Sequence, residues 1–320
     1  MTPKILLILS DKTTAFKSAF CKFTIHHSQM LYLILSILFS VLLLVNFRLH
    51  PTYKIDTTQA IVFNYWVCVI LGWFLLPSGT TFTIDWSAEI TYYALLLGLG
   101  FIVVFMLSGA STLQAGITVT SLANNMSLVI PVLYNLLIFN TTQSFGWLNY
   151  IGLGLAFLAV YLSTWKKTDT ENVEKKTNNL TLPLLVFFMY GLTNTAFNYL
   201  NLKYVTASGT TIAFMLTACL GAIISGLFLL IYQRKPIAVR NLIAAIPLGI
   251  PNFLSFYFLL KALDVYKNNG AYVLPVYNIG VIVVSTVVAL FFFKEKLAKL
   301  NWIGLVLALV AIVLISWIEG

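Results

Sequence analysis

Charge is what this sequence has least of. Only 9% of its 320 residues are Asp, Glu, Lys or Arg, while 60% are hydrophobic; soluble domains carry roughly 25% charged residues. A water-soluble globular chain is excluded on that ground. Cysteine is scarce as well: Cys21, Cys68 and Cys219 fall in no CxxC or other metal-ligand spacing, so no thiolate metal site is expected. Cys68 and Cys219 sit inside apolar runs and read as small hydrophobes. His26, His27 and His50 lie outside or at the edge of those runs, which leaves no metal triad and no proton relay. The long apolar runs lack period-2 alternation, which excludes a membrane β-barrel. The surroundings of Gly79 and Gly109 match no phosphate-binding fingerprint. Connections mostly under a dozen residues long leave no room for an extramembrane catalytic or nucleic-acid-binding domain.

What is present is a series of long apolar runs. A hydrocarbon core about 30 Å thick requires roughly 20 apolar residues per helix, and every backbone group inside it must be satisfied internally. Runs of that length lie at 30–48, 58–77, 88–108, 114–139, 147–165, 182–201, 209–232, 241–261, 268–293 and 298–318. The expected fold is therefore an all-α membrane protein with ten transmembrane helices. Trp86, Trp147, Trp165, Trp302 and Trp317 fall at helix ends and suit the headgroup region.

The formal charge of +9 suggests nucleic acid at first sight, but the basic residues sit almost wholly between helices, where they set membrane orientation. No nucleic-acid partner is expected. Connections after helices one, three, five, seven and nine hold twelve Lys and Arg, and those after two, four, six and eight hold three. That imbalance favours the odd-numbered connections inside. Residues 1–29 carry Lys4, Lys12, Lys17 and Lys22 with no run long enough to span. They read either as a cytoplasmic tail or as sequence upstream of a true start at Met30.

The most polar stretch, residues 166–180, separates a first block of five helices at 30–165 from a second at 181–320. The blocks are similar at a shift of 151–152 residues. Asn149-Tyr150-Ile151-Gly152 aligns with Asn301-Trp302-Ile303-Gly304, Phe63 with Phe214, Cys68 with Cys219 and Gly98 with Gly249. Five is odd, so the second block enters the membrane from the opposite side and the repeats are inverted. Inverted repeats are a transporter signature: they place a binding site near the bilayer midplane and alternate access by rocking one unit against the other. Gly98-Leu99-Gly100 and the stretch Pro247-Leu248-Gly249-Ile250-Pro251 are matched places for an interrupted helix, or for close packing.

Two inverted fives, with Phe293-Lys294-Glu295-Lys296-Leu297 followed by Trp302-Ile303-Gly304, resemble the drug/metabolite transporter superfamily, and within it the EamA-like transporters. In that family each half tends to end in an E-x-L segment and then a helix opening with an aromatic, Ile and Gly. Gln143 stands where the first half would place the acid. The resemblance implies a multi-pass protein of a bacterial inner membrane that moves small organic molecules, with cytoplasmic termini. That last implication runs against the loop charges.

No ionisable residue falls near the midplane of any run: Asp85 and Glu89 precede or open the third, Lys261 and Asp264 follow the eighth, and Lys294 to Lys296 close the ninth. A proton-driven carboxylate mechanism is disfavoured, and without a buried counter-charge the expected cargo is neutral or zwitterionic, such as an amino-acid-like metabolite. Neutral polar residues are plentiful at depth. The candidate cavity-lining set is Asn64, Ser121, Asn124, Asn125, Asn194, Asn198, Asn252, Tyr272, Tyr277 and Asn278. Ser121 and Asn125 are four apart, as are Asn194 and Asn198, so each pair shares a helix face. Against this reading, membrane Asn and Thr often serve as interhelical ties worth roughly 0.6–2 kcal/mol. The expected partners are the bilayer, a small-molecule substrate and, beside a monomer, a homodimer. No cofactor is expected. The competing classes are a polytopic membrane enzyme, for which Asp85/Glu89 and Lys261/Asp264 supply no convincing acid–base set, and a membrane scaffold without transport activity.

Overall fold

The computed structural model describes residues 30–76, 82–138, 146–163, 181–204, 210–266 and 270–317. The tail at 1–29, the linker at 166–180 and Gln143 lie outside the described residues. Among the described residues eleven helices follow one another: α1 (Met30–Leu49), α2 (Thr57–Phe74), α3 (Glu89–Gln114), α4 (Ile117–Met126), α5 (Val129–Ile138), α6 (Trp147–Ser163), α7 (Thr181–Tyr204), α8 (Thr210–Gln233), α9 (Val239–Val265), α10 (Gly270–Phe291) and α11 (Lys299–Ile315). No strand occurs among the described residues.

This is an all-helical, multi-pass membrane protein. Among the described residues seven spans are long and apolar enough to cross a bilayer: α1, α2, α3, α8, α9, α10 and a seventh, Ile117–Tyr134, made of α4 and the start of α5. The apolar helices α6 and α11 are shorter, at 17 residues each. Helix α7 has the length, at 24 residues, but Thr193, Asn194, Thr195, Asn198 and Asn201 dilute its apolar character. Large hydrophobic side chains face outward all round, among them Leu96, Phe228, Ile231 and Val306. In water such a surface would aggregate; in lipid it is matched to its solvent.

Lipid tails are as apolar as leucine, so helices associate through close packing and polar ties. Three pairings dominate the interior: α6 with α11, α3 with α8, and α2 with α9. Each rests on a glycine where backbones nearly touch. A Cβ on Gly98 would overlap Ala218 O of α8, one on Gly249 would stand 2.6 Å from Asn64 O and Val67 Cβ of α2, and one on Gly304 would stand 2.7 Å from Ser163 N of α6. The first two are the glycines marked in the sequence for a break or for close packing, and the helices run unbroken through both.

The discontinuity lies elsewhere, at Ser127–Leu128 between α4 and α5. Pro131 follows four residues after Ser127; it has no N–H for the Ser127 carbonyl, and its ring crowds that carbonyl. In α9 the same problem is solved from outside. Pro251 leaves Pro247 O without a helical donor, and Asn46 Nδ2 of α1 donates to it at 2.9 Å.

Relative directions follow from end-to-end contacts. Asn149 opens α6: its Oδ1 accepts from Gly146 N at 2.9 Å, while its Nδ2 donates to the last carbonyls of α11, Leu314 O and Ile315 O, each at 3.0 Å. Asn301 opens α11: its Oδ1 accepts from Ala298 N at 2.8 Å and its Nδ2 donates to Ser163 O, the end of α6. These helices are antiparallel. At the starts of α2 and α9, Asn241 Nδ2 donates to Gln59 Oε1 at 2.7 Å and Asp56 N donates to Asn241 Oδ1 at 3.0 Å. Those two helices are parallel.

Candidate functional site

Several neutral polar residues at depth tie helices together, and the ties join α1, α2, α4, α9 and α10. Asn64 is fully buried. Its Nδ2 donates to Ile61 O, and its Oδ1 accepts from Asn252 Nδ2 at 2.7 Å across the α2–α9 contact. Cys68 Sγ, one turn along, contacts Asn64 Oδ1 and Gly249 O. Two predicted residues, Asn64 and Asn252, are thus directly bonded to each other.

On α4, Asn125 Nδ2 donates to Ser121 O at 2.7 Å, and the Ser121 hydroxyl accepts from Ser285 of α10 at 2.7 Å. Asn124 is half-buried, with Ser108 Oγ at 3.5 Å from its Oδ1. The Tyr277 hydroxyl of α10 shares a 2.7 Å hydrogen bond with Ser40 of α1, and Ser36 of α1 donates to Ser255 O of α9 at 2.6 Å. Asn278 is buried, Asn194 half-buried and Asn198 exposed. Tyr272 belongs to α10, with its side chain outside the described residues.

Sequence reasoning missed Ser285, Ser36 and Ser40 as partners, and it missed Tyr65 altogether. The Tyr65 hydroxyl of α2 is buried with no hydrogen-bond partner among the described residues. An unpaired buried hydroxyl is costly, so such groups merit a functional explanation. Tyr65 packs in the interior with Phe105 of α3, their ring centroids 5.8 Å apart. A visible signal existed: Tyr65 and Tyr190 are polar-tipped side chains in the interior of apolar runs.

Near one end of the bundle Glu295 reaches back to α4. Its Oε1 accepts from Ile117 N at 2.8 Å, and its Oε2 from Thr118 N at 3.4 Å and Thr118 Oγ1 at 3.3 Å. A carboxylate at a helix N-terminus satisfies orphan amides and opposes the positive end of the dipole.

No family model matches the chain. An uncharacterized protein of Haemophilus influenzae is 32% identical over 298 residues, covering 90% of this chain and 98% of its own. The fold is similar to that of a protein known from a crystal structure, with a TM-score of 0.53, 13% identity, and coverage of 90% of this chain and 96% of that one. At that identity the likeness concerns the fold alone.

Proposed function

Because the chain belongs to one family with the Haemophilus influenzae protein, matched along nearly the whole of both, we propose one function for the entire unit. It is a secondary transporter of the EamA-like, drug/metabolite transporter type, with ten crossings in two inverted fives. It carries a small polar organic solute, neutral or zwitterionic and amino-acid-like, by alternating access across a bacterial inner membrane.

The observation that carries this reading is reciprocity. Asn149 and Asn301, 152 residues apart, do the same work at opposite ends of one antiparallel pair. Gly98 packs on Ala218, and Gly249 packs on Val67; adding 151 to the numbers of Gly98 and Val67 gives Gly249 and Ala218. Exchanging the halves of the sequence thus exchanges one contact for the other. The parallel α2–α9 pair and the antiparallel α6–α11 pair have the directions that ten alternating crossings require. Two halves that can swap roles are the physical basis of alternating access.

The cargo class rests on the polar interior. Ser40, Tyr65, Asn252 and Tyr277 offer neutral donors and acceptors, and Tyr65 leaves one unused. Rearrangement of the halves exposes such groups to a hydrogen-bonding solute. A scaffold without transport activity is favoured by a different observation: Asn64, Ser121 and Asn125 are already satisfied by helix-to-helix or within-helix bonds.

The deciding experiment screens the purified chain against polar metabolites by thermal stabilisation, since a ligand that binds only the folded state raises apparent stability. Hits then go to exchange assays in proteoliposomes. At least one compound is expected to stabilise and to be exchanged, and Tyr277→Phe is expected to weaken its binding about tenfold. A ligand that binds but never crosses, or binding undiminished in both Tyr277→Phe and Tyr65→Phe, overturns the assignment.

A further inference from the structure

A pocket of 310 Å³ opens where the end of α1, the α3–α4 turn and the α10–α11 connection meet, and Arg48, Gln114, Gly116, Lys294, Glu295 and Lys296 stand on its wall. Among the described residues its ionised groups are three cations and one carboxylate. The carboxylate is already committed: Glu295 is held by Ile117 N, Thr118 N and Thr118 Oγ1 at the start of α4. Those bonds orient Glu295 without cancelling its negative charge, so three cations against one carboxylate leave the pocket wall with a net charge of +2. Among the described residues the ion pair is Lys235 with Asp56, at 3.2 Å and outside this pocket. Arg48 is half-buried and uses one guanidinium nitrogen on Leu113 O at 3.3 Å. Lys294 is held at φ +52, in the left-handed region that favours glycine, within a connection anchored by Glu295 N to Ala289 O at 3.0 Å.

A net positive concavity at a membrane face, whose one acid is engaged by the start of α4, is matched by an anion of small size. A volume of 310 Å³ is at the lower end of ligand pockets, which run roughly 300–1,000 Å³. We propose that this pocket binds a compact oxyanion, a phosphate or carboxylate group, with Arg48 as the planar fork and Lys294 and Lys296 as point charges. Guanidinium geometry suits paired oxygens, and ammonium groups suit any approach. Two sources supply that chemistry: the headgroup of an anionic phospholipid, or a dissolved anion. The site is separate from the polar ties among α1, α2, α4, α9 and α10, and it stands whether or not the chain transports anything.

The test uses the purified full chain. In neutral detergent it is titrated with inorganic phosphate at constant ionic strength, with chloride as the balancing ion. In parallel it is reconstituted into phosphatidylcholine vesicles with and without phosphatidylglycerol. Thermal stability is read in both arms. A saturable rise is expected in at least one arm, and Arg48→Gln should move its midpoint about tenfold or more, the loss of one charge-assisted contact. Arg240→Gln, which removes an exposed charge outside the pocket, should leave the midpoint unchanged. A rise with phosphate identifies a dissolved anion, and a rise with phosphatidylglycerol alone identifies a headgroup. Should Arg48→Gln not fold, the double variant Lys294→Gln/Lys296→Gln carries the test, because both side chains are exposed. No saturable rise in either arm, or an equal shift in Arg240→Gln, overturns the proposal.

Discussion

Gly116 stands just before α4 at φ +98 and ψ 171, a backbone region open in practice to glycine alone, and a Cβ there would lie 2.8 Å from Glu295 Oε1. Gly116→Ala is expected to cost about 1–3 kcal/mol from backbone strain, and more if the Glu295 contact is lost. Gly154→Ala is the control, because nothing lies within 4 Å of its added Cβ; comparing the two melting temperatures in detergent tests the point. His50, just beyond α1, is 2% exposed, with Nδ1 at 3.0 Å from Thr57 Oγ1 and Nε2 without a partner among the described residues. Burial against Phe47 and its neighbours pushes its pKa down to about 4. The unfolded chain, titrating near 6.5, binds a proton between pH 6.5 and 4 that the folded chain refuses. Stability is therefore whole above pH 6.5 and falls with pH through that window, by about 3 kcal/mol at its lower end. Melting curves of the wild type at pH 7 and pH 5 should show part of that loss, and His50→Gln should flatten it. An equal slope in His50→Gln would assign the pH dependence to other groups.

Among the helices, the apolar runs anticipate position closely, because a bilayer imposes length and composition on each segment before any tertiary contact is considered. The run at 147–165 became α6 and that at 298–318 became α11. What hydropathy does not carry is the identity of the tertiary partner. The run at 114–139 reads as one span and Ile117–Tyr134 is one, but its helix breaks ahead of Pro131 into α4 and α5; Pro247 and Pro251 suggest an interruption, yet α9 continues, with Asn46 of another helix filling the carbonyl that Pro251 vacates. For the same reason the polar set was legible as residues and not as pairs. Spacing places Ser121 and Asn125 on one face, but no one-dimensional pattern sets Ser285 opposite Ser121 or Ser40 opposite Tyr277. The Asn46 contact gives a prediction specific to this element. Asn46→Ala should cost about 1 kcal/mol in the wild type and less in a Pro251→Ala background, where a restored N–H can serve Pro247 O. A double-mutant cycle on thermal or denaturant stability measures that coupling, and strict additivity would show that Asn46 does not compensate for the proline.

At the scale of the whole molecule, the structure turns a tally of loop charges into a surface. Arg48 Nη1 ties the end of α1 to Leu113 O at the end of α3, Glu295 ties the α10–α11 connection to α4, Asn301 ties α11 to the end of α6, and Lys235 ties the end of α8 to Asp56 before α2. All these ends therefore share one face, and Arg48, Lys54, Arg234, Lys235, Arg240, Lys294, Lys296 and Lys299 lie on or beside it. The α2–α3 connection at the far end of α2 holds no lysine or arginine. Retention of positive charge on the cytoplasmic side during insertion favours the basic face inside, against the cytoplasmic termini that the family resemblance implies. Single cysteines placed in a Cys21→Ser background decide between them, since Cys68 and Cys219 are buried. Lys54→Cys should react with an impermeant maleimide only after the membrane is opened, and Thr83→Cys should react in intact cells. The reverse pattern would show that family topology outweighs loop charge in this chain, and it would move the Arg48 pocket to the outer face, where a dissolved anion is the favoured occupant over a cytoplasmic-leaflet headgroup.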